Sequence, residues 1–222
     1  MTVLHLADEG EAADLAAFLS RLLHYDRGAA VRLQAAGTAL AVFGRPPSFE
    51  VLAIRAVRLA KPYEDGLDVT LDVTVSAGEL LESVDEDAAT AGVPEAVTGP
   101  PWAGVLPPRG GWQVVAGLPA PDALRGMVGA GVAEFRSRTQ ELAAESRTRA
   151  ELDRVGREIW SRTVGETELP VRAVHAAQSL GFLRGDGELA LLSCGAWLRL
   201  RTPYGSVAVR RAGLGALGVS VR

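Results

Sequence analysis

The chain has no asparagine, one lysine, two isoleucines and one cysteine in 222 residues. Cys194 alone cannot close an internal disulfide, so the fold is not stapled. Three histidines, His5, His24 and His175, are scattered too widely to read as a zinc cluster, and neither a metal nor a cofactor is expected. Every uncharged apolar run falls short of the roughly 20 residues that span a bilayer, and Asp8, Glu9 and Glu11 oppose the basic start of a secretory leader. The expectation is a cytoplasmic protein without a membrane partner. Also missing are a Walker loop, a Gly-x-Ser-x-Gly elbow and a His-Glu-x-x-His pair. Gly213-Leu214-Gly215-Ala216-Leu217-Gly218 matches a dinucleotide fingerprint by letter. That chemistry needs a helix and a second parallel strand beyond the glycines, and only four residues follow, so the stretch reads as a tail.

What is present is ordinary for a globular protein: 48% hydrophobic residues, 23% charged, and a net charge of −4. A chain of this size buries roughly 70% of its extended surface, which excludes extensive disorder. The 22 arginines against one lysine, with 36 alanines, are the bias of a GC-rich bacterial gene.

Periodicity outlines the elements. A short strand at Val3 to Leu6 precedes a helix whose apolar face is Leu15, Phe18, Leu19 and Leu22. Val31, Leu33, Leu40 and Val42 flank Ala36-Gly37-Thr38 as a hairpin, and Phe49 to Leu59 is a buried strand. Val69, Leu71, Val73 and Val75 alternate with Asp68, Thr70, Asp72, Thr74 and Ser76, which gives a strand with one wet face. A short helix from Gly78 to about Val84 leads to the acidic run Asp85-Glu86-Asp87. Seven prolines and six glycines then make an irregular connection up to Pro121, with a brief strand at Trp112 to Val115. Pro121 opens a helix with Leu124, Met127, Val128, Val132 and Phe135 inward, and the apolar signal fades from Ala143 before resuming at Leu152, Val155 and Ile159, which fits two helices and one long helix with an exposed middle equally well. Pro170 starts a last helix that Gly181 stops, and strands at Glu188 to Ser193, Trp197 to Arg201 and Ser206 to Arg210 follow. The fold class is therefore α+β: a β-rich N-terminal half, mostly antiparallel sheet with one or two helices, and a helical C-terminal half ending in a β-hairpin. The reading divides the chain into a β-rich region 1–98, a Pro/Gly/Trp-rich connection 99–121, a helical region with its terminal hairpin 122–212, and the tail 213–222. No period of 20 to 50 residues repeats.

Candidate sites are few. Two of the four tryptophans, Trp102 and Trp112, fall with Arg109 inside the connection, and these residue types are enriched at interface hot spots. They are the candidate partner-binding residues, and the simpler reading is that both indoles cap the core. Charge is uneven: residues 1–100 hold 7 basic and 16 acidic side chains, residues 101–222 hold 16 and 11. Arg172, Arg199, Arg201 and Arg210 on the last helix and hairpin resemble the parts of a winged helix, a nucleic-acid alternative. Asp68 with Asp72, and Asp85 to Asp87, read as solvated surface, Cys194 as a small buried side chain, and His175 as a partly buried, hydrogen-bonded histidine. Glu134 with Arg138, Glu145 with Arg149, Asp153 with Arg157 and Glu158 with Arg162 are spaced as helix pairs. Gly126, Ala130, Ala133 and Ser137 form a small-residue strip. The strip and the opposite charges of the two halves point to self-association, a homodimer. The resulting expectation is a non-enzymatic cytoplasmic binding or assembly module, ahead of a nucleic-acid-associated regulator and, third, an enzyme with a dispersed site.

Overall fold

The computed structural model describes residues 2–47, 49–60 and 71–211. In chain order these form β1 (Val3–His5), α1 (Glu9–Tyr25), β2 (Ala30–Ala36), β3 (Ala39–Gly44), β4 (Leu52–Arg58), β5 (Asp72–Ser76), α2 (Ala77–Glu82), β6 (Val84–Asp85) and β7 (Thr90–Gly92). Then come β8 (Gln113–Val115), α3 (Pro121–Glu141), α4 (Arg149–Trp160), α5 (Val171–Ser179), β9 (Ala190–Cys194), β10 (Trp197–Thr202) and β11 (Gly205–Arg210). Local chemistry sets the helix starts. Asp8 accepts from the Glu11 N–H at 2.9 Å, with Glu9 and Glu11 in the first turn of α1, while Ser76 and Thr148 cap α2 and α4 in the same way.

Eight strands form one sheet in the order β5-β2-β3-β4-β11-β10-β9-β8, antiparallel throughout, and β1-β7-β6 form a small second sheet. The fold is α+β, with a large antiparallel sheet, helices in the middle of the chain and a strand hairpin near its end. The strand order is symmetrical about one junction. On one side α1 leads into the meander β2-β3-β4 with β5 outside it, and on the other α5 leads into β9-β10-β11 with β8 outside it. The junction pairs Ile54 with Ser206, Ala53 with Val207 and Leu52 with Ala208.

Alternation then gives the sheet two different faces. Leu33, Val42, Leu198, Leu200, Val207 and Val209 face the helices and join Leu15, Phe18 and Leu22 of α1 and Val174 and Ala177 of α5 in the main core. Phe18 stacks on Phe182 at 5.6 Å. Among these apolar groups sits one charge. Arg55 is only 5% exposed, yet its guanidinium donates to Glu11 at 2.8 Å, to Asp14 at 3.2 Å and to the Tyr204 carbonyl at 2.8 Å, so β4, α1 and the β10–β11 turn share one ion. Asp14 also pairs with Arg184, which lies over the Tyr204 ring.

Of the two readings open for the weak segment after Ala143, the structure has two helices, α3 and α4, joined by a 3-10 turn at Ala144–Ser146. Two local expectations change. Of the four i,i+4 pairs only Glu134 with Arg138 forms; Arg162 reaches across the hairpin to Glu134, Arg138 to Glu158, and Arg149 turns to Asp153. Antiparallel packing brings Glu134 within reach of Arg162 and Glu158 within reach of Arg138. Thr74, on the face of β5 read as wet, is buried because Gly99 of the later connection lies against it. Asp68 and the Gly213 to Gly218 stretch lie outside the described residues. Among the described residues no helix is long and apolar enough to cross a membrane, and no three metal-binding side chains converge.

Replacing Arg55 with Met removes the cation that Glu11 and Asp14 share, leaving them only Arg58 and Arg184, and is expected to cost about 3 kcal/mol. Glu11→Gln, which leaves Asp14 in place, costs less in the same urea titration. In α3, Gly126→Ala adds a methyl in open space and raises stability by up to about 1 kcal/mol. Gly131→Ala lowers it, because the new Cβ would stand 2.8 Å from the Trp160 ring.

Candidate functional site

The sheet has its helices on one side only, so the route from β5 at one edge to β8 at the other runs over the opposite, outer face. Spanning eight strands means crossing about 34 Å, which an irregular run of some fifteen residues covers when prolines hold it extended. The connection is pinned as it goes. The Val97 N–H donates to the Thr74 carbonyl at 2.9 Å, and a 3-10 turn follows at Pro101–Gly104. Trp102 and Leu106 then pack with Ala41 and Trp197 on Phe43, Leu52, Ile54 and Ala208, a second small core on the outer face. Trp112 is fixed by its indole N–H, which donates to the Pro108 carbonyl at 3.0 Å. The connection is a strap.

Past the strap the outer face is basic. Register places Arg199 opposite Ala208, Arg201 opposite Ser206, and Arg210 opposite Trp197, all on the side away from the helices. Arg199 donates from Nε to the Ser206 hydroxyl at 2.9 Å and holds its guanidinium 5.7 Å from the Trp112 ring centre. Arg210 stands likewise over Trp197 at 5.8 Å. Burial, with the neighbouring Arg201 charge, holds Arg199 below the usual arginine pKa. Among the described residues none of these three arginines has an ion-pair partner. Beside them, on the edge strand β8, Val114 is 76% exposed.

The structure thus brings together two groups that the sequence assigned to different tasks. Trp102, Arg109 and Trp112 of the strap and Arg199, Arg201 and Arg210 of the hairpin share one sheet face. Arg109 is exposed, and its charge reaches Asp72: partial burial opposes ionisation of that carboxyl, yet bonds from Arg32 and Gln34 and the Arg32 and Arg109 charges hold its pKa below the usual range. Arg172 does not join them. It lies on α5, across the sheet, with its buried Nε 3.9 Å from Glu50. The winged-helix geometry is absent, since α5 buries Val171, Ala173, Val174, Ala176 and Ala177 and the hairpin supplies two inner strands of the sheet. In the sequence Trp197 only opens a strand, although the Trp197-x-Arg199-x-Arg201 alternation is the signal that it shares a face with these arginines.

Two smaller readings are corrected. Cys194 is half-buried at the outer rim of β9, its Sγ 3.5 Å from the Gly110 carbonyl. His175 is held by rings in place of a hydrogen bond, 4.4 Å from Trp160 and 5.1 Å from Phe49 between centres. A cleft of about 720 Å³ lies beside the strap, between Asp26, Arg45, Pro46, Glu50, Val97 and Trp102.

Residues 1–104 match a family model described as Domain of unknown function (DUF8010), and residues 107–214 match Domain of unknown function (DUF8185). The two matches meet inside the strap. No curated protein matches the chain. The fold is similar to that of the DNA polymerase sliding clamp from Caulobacter crescentus, with a TM-score of 0.50 and 14% identity over 90% of this chain and 64% of that one. It is also similar to the DNA polymerase III subunit beta from Pseudomonas aeruginosa, with a TM-score of 0.50 and 12% identity over 90% and 62%. The chain therefore spans less than two thirds of the length of these solved chains, and the likeness is one of fold alone.

Trp102→Ala is expected to cost about 2 kcal/mol, since the ring covers the second core, whereas Trp112→Ala costs under about 1 kcal/mol. Equal losses in urea titration would show that both rings serve the core alike. Burial lowers the His175 pKa below its ordinary 6.5. The folded state thus prefers the neutral ring, so this contribution is complete above pH 6.5 and is lost as pH falls below it, where the unfolded chain takes up the proton first. His175→Gln is expected to flatten the decline in stability between about pH 6.5 and 5.

Proposed function

We propose that the protein is a non-enzymatic, cytoplasmic binding or assembly module that meets a protein partner, or another copy of itself, through the outer face of its large sheet. The observation that carries this reading is the group of three arginines, without an ion pair among the described residues, set among Trp112, Trp197 and the exposed Val114. Tryptophan and arginine dominate interface hot spots because both desolvate well and keep directional contacts. The strap supports the same reading: a hydrogen bond to the Pro108 carbonyl holds Trp112 in place, so little ordering of that ring is left to be done on binding. Residues 99–121 serve in this reading as the join between an N-terminal and a C-terminal region, with the contact surface built from both.

A second reading, association with nucleic acid, is favoured by the same guanidiniums. The solved chains of similar fold are named as DNA polymerase clamps, but at 12 to 14% identity that name weighs little. The two readings separate by salt, because phosphate contacts release counterions and protein contacts of mixed character do not.

The test captures partners on immobilised full-length protein and compares wild type with Trp112→Ala/Arg201→Ala and with Arg136→Ala, an exposed control on α3. Partners recovered at least about fivefold less by the double variant alone support the surface. Equal recovery by all three proteins overturns it. A duplex DNA complex whose affinity falls about a hundredfold between 50 and 200 mM salt, and which the double variant loses, favours the second reading.

A further inference from the structure

The molecule carries two charged surfaces that no ion pair among the described residues neutralises. One is the arginine face just described. The other arises because residues 62–108 contain no lysine, arginine or histidine at all. Within that stretch α2 and the turn after it expose Glu79, Glu82, Asp85, Glu86 and Asp87, and among the described residues none of the five forms an ion pair. These two surfaces cannot meet in one molecule. Ala77 and Leu80 anchor α2 in the main core, on the helix side of the sheet near β5, while Arg199, Arg201 and Arg210 stand on the outer face of β10 and β11.

We propose that the occupant of the arginine face is the acidic α2–β6 surface of a second copy of this chain. The proposal rests on reading the outer face as a contact surface. Its support is complementarity: each surface is of one sign, neither has an ion pair among the described residues, and residues 1–100 carry a net charge of −9 against +5 for the remainder. Guanidinium groups suit carboxylates because the planar fork binds both oxygens, and Arg201 and Arg210 are exposed for that purpose. Apolar contact accompanies the charges, with Val114 on one side and the half-buried Leu81 and Val84 on the other.

The two surfaces point to opposite sides of the sheet, so the contact is head to tail, each copy offering its basic face once and its acidic surface once. Nucleic acid fits the arginine face less well. Guanidinium groups already occupy a face of both Trp112 and Trp197, which leaves the indoles poorly placed to stack bases.

Sedimentation velocity of the full chain at about 50 μM, at salt near 50 and 300 mM, tests the contact. The expected result is a species heavier than the 23.3 kDa monomer at low salt that reverts to monomer at high salt. Arg201→Glu/Arg210→Glu and Glu86→Arg/Asp87→Arg are each expected to be monomeric alone and to associate when mixed, because the mixture restores opposite charges. A monomer at every salt overturns the proposal, as does association that neither variant changes or that Ala130→Trp on α3 abolishes. If the chain is monomeric while Trp112→Ala/Arg201→Ala still loses captured partners, only the second copy is overturned and the contact surface stands. If the arginine face retains duplex DNA and no second copy, the proposal also falls.

Discussion

Three residue pairs between β4 and β11 join the two halves of the large sheet. Without them each half would be a four-stranded sheet with a long apolar strand at its edge, and such edges invite pairing with other chains. With them, Leu52, Ala53, Ile54, Val207 and Ala208 become interior, and both faces of the sheet gain a core at the same place. Arg55 lies within this junction. A buried ion contributes little net stability by itself, but one that binds two carboxylates of α1 and a carbonyl of the facing turn fixes how the halves are set against each other.

The strap follows from that junction. Joining the halves through β4 and β11 pushes β5 and β8 to opposite edges, and the chain between them has to travel the full width of the sheet. The helices occupy one face, so it takes the other. Where it passes Phe43, Leu52 and Ile54 it finds apolar ground and buries Trp102 and Leu106. Further on it meets arginines, and there it leaves the surface half open.

Much of this was legible in the sequence because it is local. The apolar face of α1, the stop at Gly181 and the three closing strands depend on residues within one or two turns of each other. The pairing of the halves is not local: nothing in Leu52 to Ile54 or Ser206 to Ala208 marks them as partners beyond being mostly apolar. The shared helix-and-three-strand order leaves no period in the letters, since burial and pairing fix it and residue identity does not. The candidate residues divide in the same way. Trp102 and Trp112 look alike in sequence, and they differ because one stands over Ile54 and the other over Arg199. Arg172 and Arg199 both read as basic surface, and a sheet separates them.

The Arg55 bond to Tyr204 joins residues 149 positions apart, and the β4–β11 pairs are similarly distant. Closing so long a loop costs entropy before the contact returns any stability, whereas each meander closes through turns of a few residues. The two meanders are therefore the early structures in folding and their union the late one. In the interval, the unpaired flanks of β4 and β11 are the surfaces on which a crowded, newly made chain is most exposed to aggregation.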